Sequence, residues 1–409
     1  MTGVERRDFL MGTGLLAVTP VVAASAAQDL DWGAVRREFR LDPELVNLGQ
    51  FYLASNPREV RDAVESFKRK LDANSHDLMT GEAQKVAEAL GQYTGGNADD
   101  IAFVPNTTVG LSIVYGGLKL RADQELLLSD QDHPWHRQAA ELAARRAGAR
   151  TRVGTLFESP ARATEDEIAT RLRNAITPQT RAVGITWVQS STGLRMPVRA
   201  CARVVAEANR GRTQEDRCLL VVDGVHGLAA VDDDPAKTGA DVFVAGTHKW
   251  LFGPRGTGMV WVNPQVGDQI VPLLPSLGGR GDTALPGPGG FHAFEHFYAV
   301  KAAVEFHQRL GRSRVASRIT ELATRFKDGL AGLPGVAVHT PRDPGLSAGL
   351  VCFDVAGQTG EGLVALLAQK RIQITTAPYR IPYARVGTAI VNTPQEIDRT
   401  LAEIRSLTR

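Results

Sequence analysis

The sequence predicts an α/β fold: a large domain with a mainly parallel sheet of about seven strands covered by helices, followed by a smaller α+β C-terminal domain. Three observations predict it. Six short apolar runs alternate with amphipathic stretches between about residues 60 and 265, and strands buried on both faces read as continuous apolar runs. From Gly278 a glycine- and proline-rich segment, GGRGDTALPGPGGF, interrupts that pattern, as a junction does. At 409 residues the chain is long enough for two domains.

The elements follow in order. At the N-terminus Arg6 and Arg7 lead into an apolar run from Phe9 to Val22, and Ala24, Ser25 and Ala26 form an A-x-A site. This reads as a twin-arginine export signal over residues 1–26, which implies an exported protein. Its apolar run is short for a membrane span. No other segment is long and apolar enough to cross a membrane, so no membrane partner is expected once the signal is removed. Residues 27–57 are too few to fold alone and should pack on the main body. The large domain, 58–285, carries the strand runs IAFV, ELLL, AVGITWV, CLLVV, DVFVA and GMVWV, with helical patterns such as HRQAAELAARRAG and VRACARVVAEANR between them. Residues 286–409 hold a long helical pattern, HAFEHFYAVKAAVEFHQRLG, then strand runs VAVHT, GLVCFDV, RIQITT and TAIVN with the helices GEGLVALLAQK and PQEIDRTLAEIRSL.

Composition narrows the partner. With 43% hydrophobic residues, 22% charged residues and a net charge of +2, nothing calls for nucleic acid or an acidic surface. A small molecule is the expected partner. Cys201, Cys218 and Cys352 are far apart, so neither a disulfide framework nor a cysteine metal site is indicated.

Chemistry concentrates around VAGTHKWLFGPRGTGMVWV. Asp223 ends one strand run and Lys249 follows the next by a few residues, so two parallel strands bring a carboxylate and an amine to one sheet edge. A lysine desolvated there has its pKa lowered and is available for Schiff-base chemistry. A carboxylate on the same ligand keeps a pyridine nitrogen protonated, and the two together define a site for pyridoxal phosphate. Asn106, Thr107 and Thr108, after the strand IAFV, supply a helix N-terminus with two hydroxyls for the phosphate.

These residues, in the ordered set PNTTVGL, SDQDHPW, SSTGLRMPV, VVDGVHGL, GTHKWLFGPRGTG, PGGFHAFEH and RVGTAIVNTPQEID, resemble the class V aminotransferase family of fold-type-I pyridoxal phosphate enzymes. The resemblance is strongest to its isopenicillin N epimerase-like and ergothioneine carbon–sulfur lyase-like branch. It implies that Lys249 is the Schiff-base lysine and proton carrier. It implies that Asp223 pairs with the pyridine nitrogen, that His226 lies near the ring hydroxyl and that His133 stacks on the ring. Thr107, Thr108 and His248, with Thr247 beside them, match phosphate-side positions. Ser190 stands where an Asn often contacts the ring hydroxyl, and Arg385 matches the arginine that holds the substrate carboxylate. Members are usually homodimers.

Departures from the pattern are also legible. Gly246 replaces a phosphate-binding Ser, Gly289 and Gly290 replace a Gly-Thr pair, and Val386 and Gly387 follow Arg385 where a small residue and a Ser are usual. Cysteine desulfurases of the family carry a nucleophilic cysteine just before that arginine. Here the stretch reads ITTAPYRIPYARV, with no cysteine. What remains is chemistry at Cα and Cβ of an amino acid: β-elimination at a carbon–sulfur bond, with epimerisation or transamination as alternatives. Elimination needs a single proton carrier. Epimerisation needs a second one opposite Lys249, for which His133 is the sequence's candidate. Two rival classes stand beside these: a ligand binder without turnover, and a zinc peptidase read from His292, Glu295 and His296 in HAFEH, a pattern without a third ligand downstream.

Overall fold

The computed structural model describes residues 30–78, 81–274, 292–376 and 378–408. The export signal expected over residues 1–26, Gly289, Gly290 and the expected boundary at residues 285 and 286 lie outside the described residues. Trp32–Arg409 form one compact unit.

In chain order the strands are β1 (Val46–Asn47), β2 (Ile101–Val104), β3 (Glu125–Ser129), β4 (Arg150–Gly154), β5 (Thr180–Thr186), β6 (Leu219–Asp223), β7 (Val242–Gly246), β8 (Gly258–Val262), β9 (Val336–Val338), β10 (Leu350–Val355), β11 (Ile372–Gln373), β12 (Thr375–Thr376) and β13 (Ala384–Gly387). A seven-stranded sheet runs in the order β2-β8-β7-β6-β5-β3-β4. β8 alone runs opposite to the other six strands, antiparallel to both β2 and β7. Every residue of β3, β5, β6, β7 and β8 is buried, which is why these strands read as unbroken apolar runs. The helices Thr107–Gly117 and Pro134–Ala147 pack on the sheet through Leu111, Val114, Ala140 and Ala144.

β4 was not among the strand runs expected from the sequence. As an edge strand it keeps an exposed and half-exposed row, RTRVG, and its arginines pair with the buried Glu125 of β3, Arg152 at 3.0 Å and Arg150 at 3.2 Å. Charge pairing across the strands, not hydrophobicity, fixes it.

The second sheet has four antiparallel strands in the order β12-β13-β10-β9. It shares a core with the helices Arg312–Ala331, Gly360–Gln369 and Pro394–Ser406 through Leu322, Phe326, Leu363, Ile397 and Ile404. One expectation is corrected here: TAIVN is not a strand. The strand is the preceding Ala384–Gly387. At residues 388–392 the chain turns, because the Asn392 side chain accepts from Ala389 N–H at 2.9 Å and donates to Asn47 O at 3.0 Å. The N-terminal segment pairs β1 with β11 in parallel and reaches the large sheet through Asn56, whose amide donates to Phe252 O and Gly253 O.

Candidate active site

The carboxyl ends of parallel strands are where an open α/β sheet gathers its site. β6 delivers Asp223 and β7 delivers Gly246, with Asp223 and Val244 in register. Lys249 then lies in the turn between β7 and the antiparallel β8. That turn folds back on itself through Gly253 N to Thr247 O (2.9 Å) and Thr247 N to Thr257 O (3.0 Å), so the lysine is held at the strand end.

Burial governs the electrostatics. It pushes the Lys249 amine down to about 8, with Arg385 acting the same way and Asp223 opposing. It pushes Asp223 up to about 6 against the pull of the Val225 N–H, 3.2 Å away, and of Lys249. His226 is driven well below its ordinary value by burial and then by Lys249 and Arg385. Its Nε2 lies 3.1 Å from Lys249 Nζ, and its Nδ1 accepts from the Trp250 indole at 3.3 Å. His133 caps the helix Pro134–Ala147, accepting from Trp135 N. Burial and the charges of Lys249 and Arg385 push it down to about 4.

The helix Thr107–Gly117 brings its N-terminus to the end of β7. Asn106 caps it by accepting from Val109 N at 2.9 Å, and Thr107 Oγ1 accepts from Gly246 N at 2.8 Å. The buried Nδ1 of His248 has no protein partner among the described residues. The His248 ring also explains the glycine at 246, since a Cβ there would lie 2.6 Å from Cε1 and 2.8 Å from Nδ1. An unsatisfied ring nitrogen beside a helix N-terminus fits the phosphate of pyridoxal phosphate, as the desolvated lysine and buried aspartate fit its aldehyde and ring nitrogen. Thr108 shares that N-terminal turn. Thr247 does not join them: fully buried, its hydroxyl is bonded to that of Thr257 inside the turn.

Arg385, on β13, is buried and fixed on two sides. Its Nε donates to Thr375 Oγ1 at 2.8 Å and its Nη1 to Ser190 O at 3.1 Å. The guanidinium lies 5.0 Å over the Phe51 ring. Nη2 keeps no protein partner among the described residues, and so is free for a carboxylate. Ser190 uses its hydroxyl on Tyr379, 2.8 Å away.

Four residues of the site were not singled out from the sequence. Tyr379 stands edge-on to His133 at 5.9 Å, and burial pushes its phenol far up. Phe51 and Trp250 frame His226 and Arg385. Asp132 is fully buried and accepts from Ser129 N (2.7 Å) and Thr186 Oγ1 (2.8 Å), so it anchors the turn that presents His133; burial lifts it to about 7. Its place inside SDQDHPW was the available signal. The HAFEH residues serve otherwise: His292 packs on Phe294 and Phe297, and a ring nitrogen of His296 meets Arg255 O. Among the described residues no group of three or more His, Cys, Asp or Glu is placed to hold a metal.

An open α/β sheet with a desolvated lysine and a buried aspartate at adjoining strand ends defines the class, a fold-type-I enzyme with an aldehyde cofactor. The chain belongs to the aminotransferase class-V family, whose model matches residues 51–399; its cofactor is pyridoxal phosphate. An isopenicillin N epimerase of Amycolatopsis lactamdurans is 29% identical over 403 residues, covering 92% of this chain and 99% of the relative. A probable cysteine desulfurase of Xylella fastidiosa is 26% identical, over 91% of this chain and 95% of its own length. Two structures of C-DES superpose with the same fold. One, the cystine C–S lyase with its product cysteine persulfide, has TM-score 0.79 and 22% identity over 89% of this chain and 98% of that one. The other, a mutant with glycine covalently linked to the PLP cofactor, has TM-score 0.81 and 21% identity over 90% and 98%.

Proposed function

We propose that this enzyme takes the Cα proton from an amino acid or amino-acid derivative and releases a sulfur substituent from Cβ, a β-elimination. Bound pyridoxal phosphate supplies the electron sink that stabilises negative charge at Cα. The protein's residues do the rest. Arg385 binds the substrate carboxylate through its free Nη2, Asp223 holds the ring nitrogen's proton, and Lys249 takes the proton from Cα.

One observation carries this reading. Lys249, near 8, is the cleft base that titrates near neutrality and, among the described residues, is bound to no backbone group; its Nζ meets His226 Nε2 at 3.1 Å. His133 and His226 are held as neutral imidazoles, Tyr379 as a neutral phenol, and Asp132 and Asp223 are tied to backbone N–H groups. A single proton carrier suffices for elimination. Desulfurase chemistry through a thiol is disfavoured, because Cys201, Cys218 and Cys352 are all buried and burial pushes each up to about 12.

A second reading, epimerisation, draws support from the hydroxyl pair Tyr379 and Ser190 beside His133, which offers a second proton carrier, and from the relative named isopenicillin N epimerase. The test is incubation of the reconstituted enzyme with amino acids in deuterated water. A 2-oxo acid with ammonia supports elimination. Return of an amino acid with deuterium at an inverted Cα overturns it in favour of epimerisation, and Tyr379→Phe would then block inversion while leaving Cα exchange intact.

A further inference from the structure

An indole N–H is a donor and never an acceptor. Because Trp250 Nε1 lies 3.3 Å from His226 Nδ1, that ring nitrogen must present its lone pair. The one proton of the neutral imidazole is therefore on Nε2. Nε2 is 3.1 Å from Lys249 Nζ, so an Nε2–H faces the lysine and needs an acceptor there. An ammonium has none, since all of its positions are donors; the neutral amine has its lone pair. The opposite arrangement, a lysine ammonium donating to Nε2, would set an Nδ1–H against the indole N–H. Hydrogen-bond direction thus runs one way, from Trp250 through His226 to Lys249.

We propose that Trp250 is a positioning residue: its indole N–H fixes the tautomer of His226, which in turn favours the neutral amine of Lys249, the form that captures the cofactor's aldehyde. In that capture the Nζ lone pair forms the bond to the aldehyde carbon, and the two amine protons leave with the carbonyl oxygen as water. Once Nζ is engaged, the same Nε2–H is released to another acceptor. The inference does not depend on which substrate bond the enzyme breaks.

The surroundings allow the device. The charged and titratable groups that act on Lys249 are Asp223 on β6, which favours the ammonium, and Arg385 on β13, which opposes it. His133, His226 and His248 also feel its charge. Burial outweighs Asp223 and brings the amine to about 8, so the neutral form that this hydrogen-bond direction describes is populated from just above neutrality. Trp250 and His226 are themselves buried, and Phe51 packs against both rings, so His226 has no room to seek another partner.

The test uses the full chain freed of cofactor. In protein labelled with [15N]histidine and held above the lysine midpoint, His226, assigned by loss of its signal in His226→Gln, should show the Nε2–H tautomer. The pH dependence of Lys249 reductive methylation, read by mass spectrometry, should have its midpoint near 8. In Trp250→Phe the imidazole is free to turn its lone pair to the lysine, and the midpoint should rise by about one unit, since a hydrogen bond to the charged form favours it. Circular dichroism should be unchanged. An Nδ1–H tautomer in the wild-type protein above that midpoint overturns the proposal, as does an unshifted midpoint in a folded Trp250→Phe. If that variant does not fold, the wild-type tautomer alone decides. Failure to take up pyridoxal phosphate at all would strike the cofactor reading instead, and leaves both measurements interpretable.

Discussion

Gly387→Ser would restore the serine usual in this family two residues after the arginine proposed to bind the substrate carboxylate, yet here it should weaken the site. A Cβ at 387 would lie 2.1 Å from Phe51 Cδ1, 2.7 Å from Cγ and 3.0 Å from Cβ, where carbon contacts settle at about 3.5–4.0 Å. Phe51 is 1% exposed, enclosed by His226, Trp250 and the Arg385 guanidinium above it, so it cannot retreat without moving them. Overpacking of this kind costs about 1–3 kcal/mol of stability. Displacing the ring beneath Arg385 removes up to about 0.5–2 kcal/mol of the support that holds the guanidinium in place, and the grip on a carboxylate weakens by up to roughly 30-fold if all of that support is needed to position it. The measurements are the urea midpoint and the dissociation constant of an unreactive amino-acid analogue, in Gly387→Ser, Phe51→Ala and the double variant. The clash predicts strong coupling, with Gly387→Ser costing far less once Phe51 is truncated. Strictly additive effects, or wild-type carboxylate affinity in Gly387→Ser, would refute the reasoning.

Two further predictions concern the lysine and the leader. Lys249 has its amine lowered from 10.5 to about 8, a difference worth roughly 3 kcal/mol. Below pH 8 both folded and unfolded chains carry the proton and the folded one bears the full cost of burying it; between about 8 and 10.5 the folded state sheds it first and the cost disappears. Cofactor-free Lys249→Met should therefore be more stable than wild type at pH 7, with the gap closing by pH 10.5; a pH-independent gap in urea titrations would refute this. Residues 1–30 fused to a folded reporter should direct its export, and replacing Arg6 and Arg7 by Lys should stop it, measured by cell fractionation.

What the sequence disclosed depended on how each feature is held. Lys249 and Asp223 were legible because each follows a strand buried on both faces, and such strands announce themselves as apolar runs with a chemically active residue at the end. β4 was not, since its stability comes from Arg150 and Arg152 pairing with Glu125 on a neighbouring strand. TAIVN read as a strand by composition, but the side chain of its own last residue, Asn392, turned it. Tyr379 escaped for a different reason: its partner Ser190 is 189 residues away, and a loop tyrosine among polar residues carries no periodic signal. Trp250 was visible as the neighbour of Lys249, but its role arises from His226, 24 residues earlier.

The charges in the cleft also fall into an order with one physical cause. Burial is the first cause of each shift, but its sign follows the group's chemistry: it raises Asp223 and Asp132 and lowers Lys249, His133, His226 and His248. Every one of these is pushed toward its neutral form. Arg385 is also desolvated and lowered, yet a guanidinium does not give up its proton in a protein. It therefore remains the fixed cation of the cleft, steadied by Thr375, Ser190 and the face of Phe51. A carboxylate entering the site meets one permanent opposite charge among groups whose charges are conditional. On the proposed function, that asymmetry would orient an amino acid by its carboxylate and leave Lys249 to act by gaining and losing a proton.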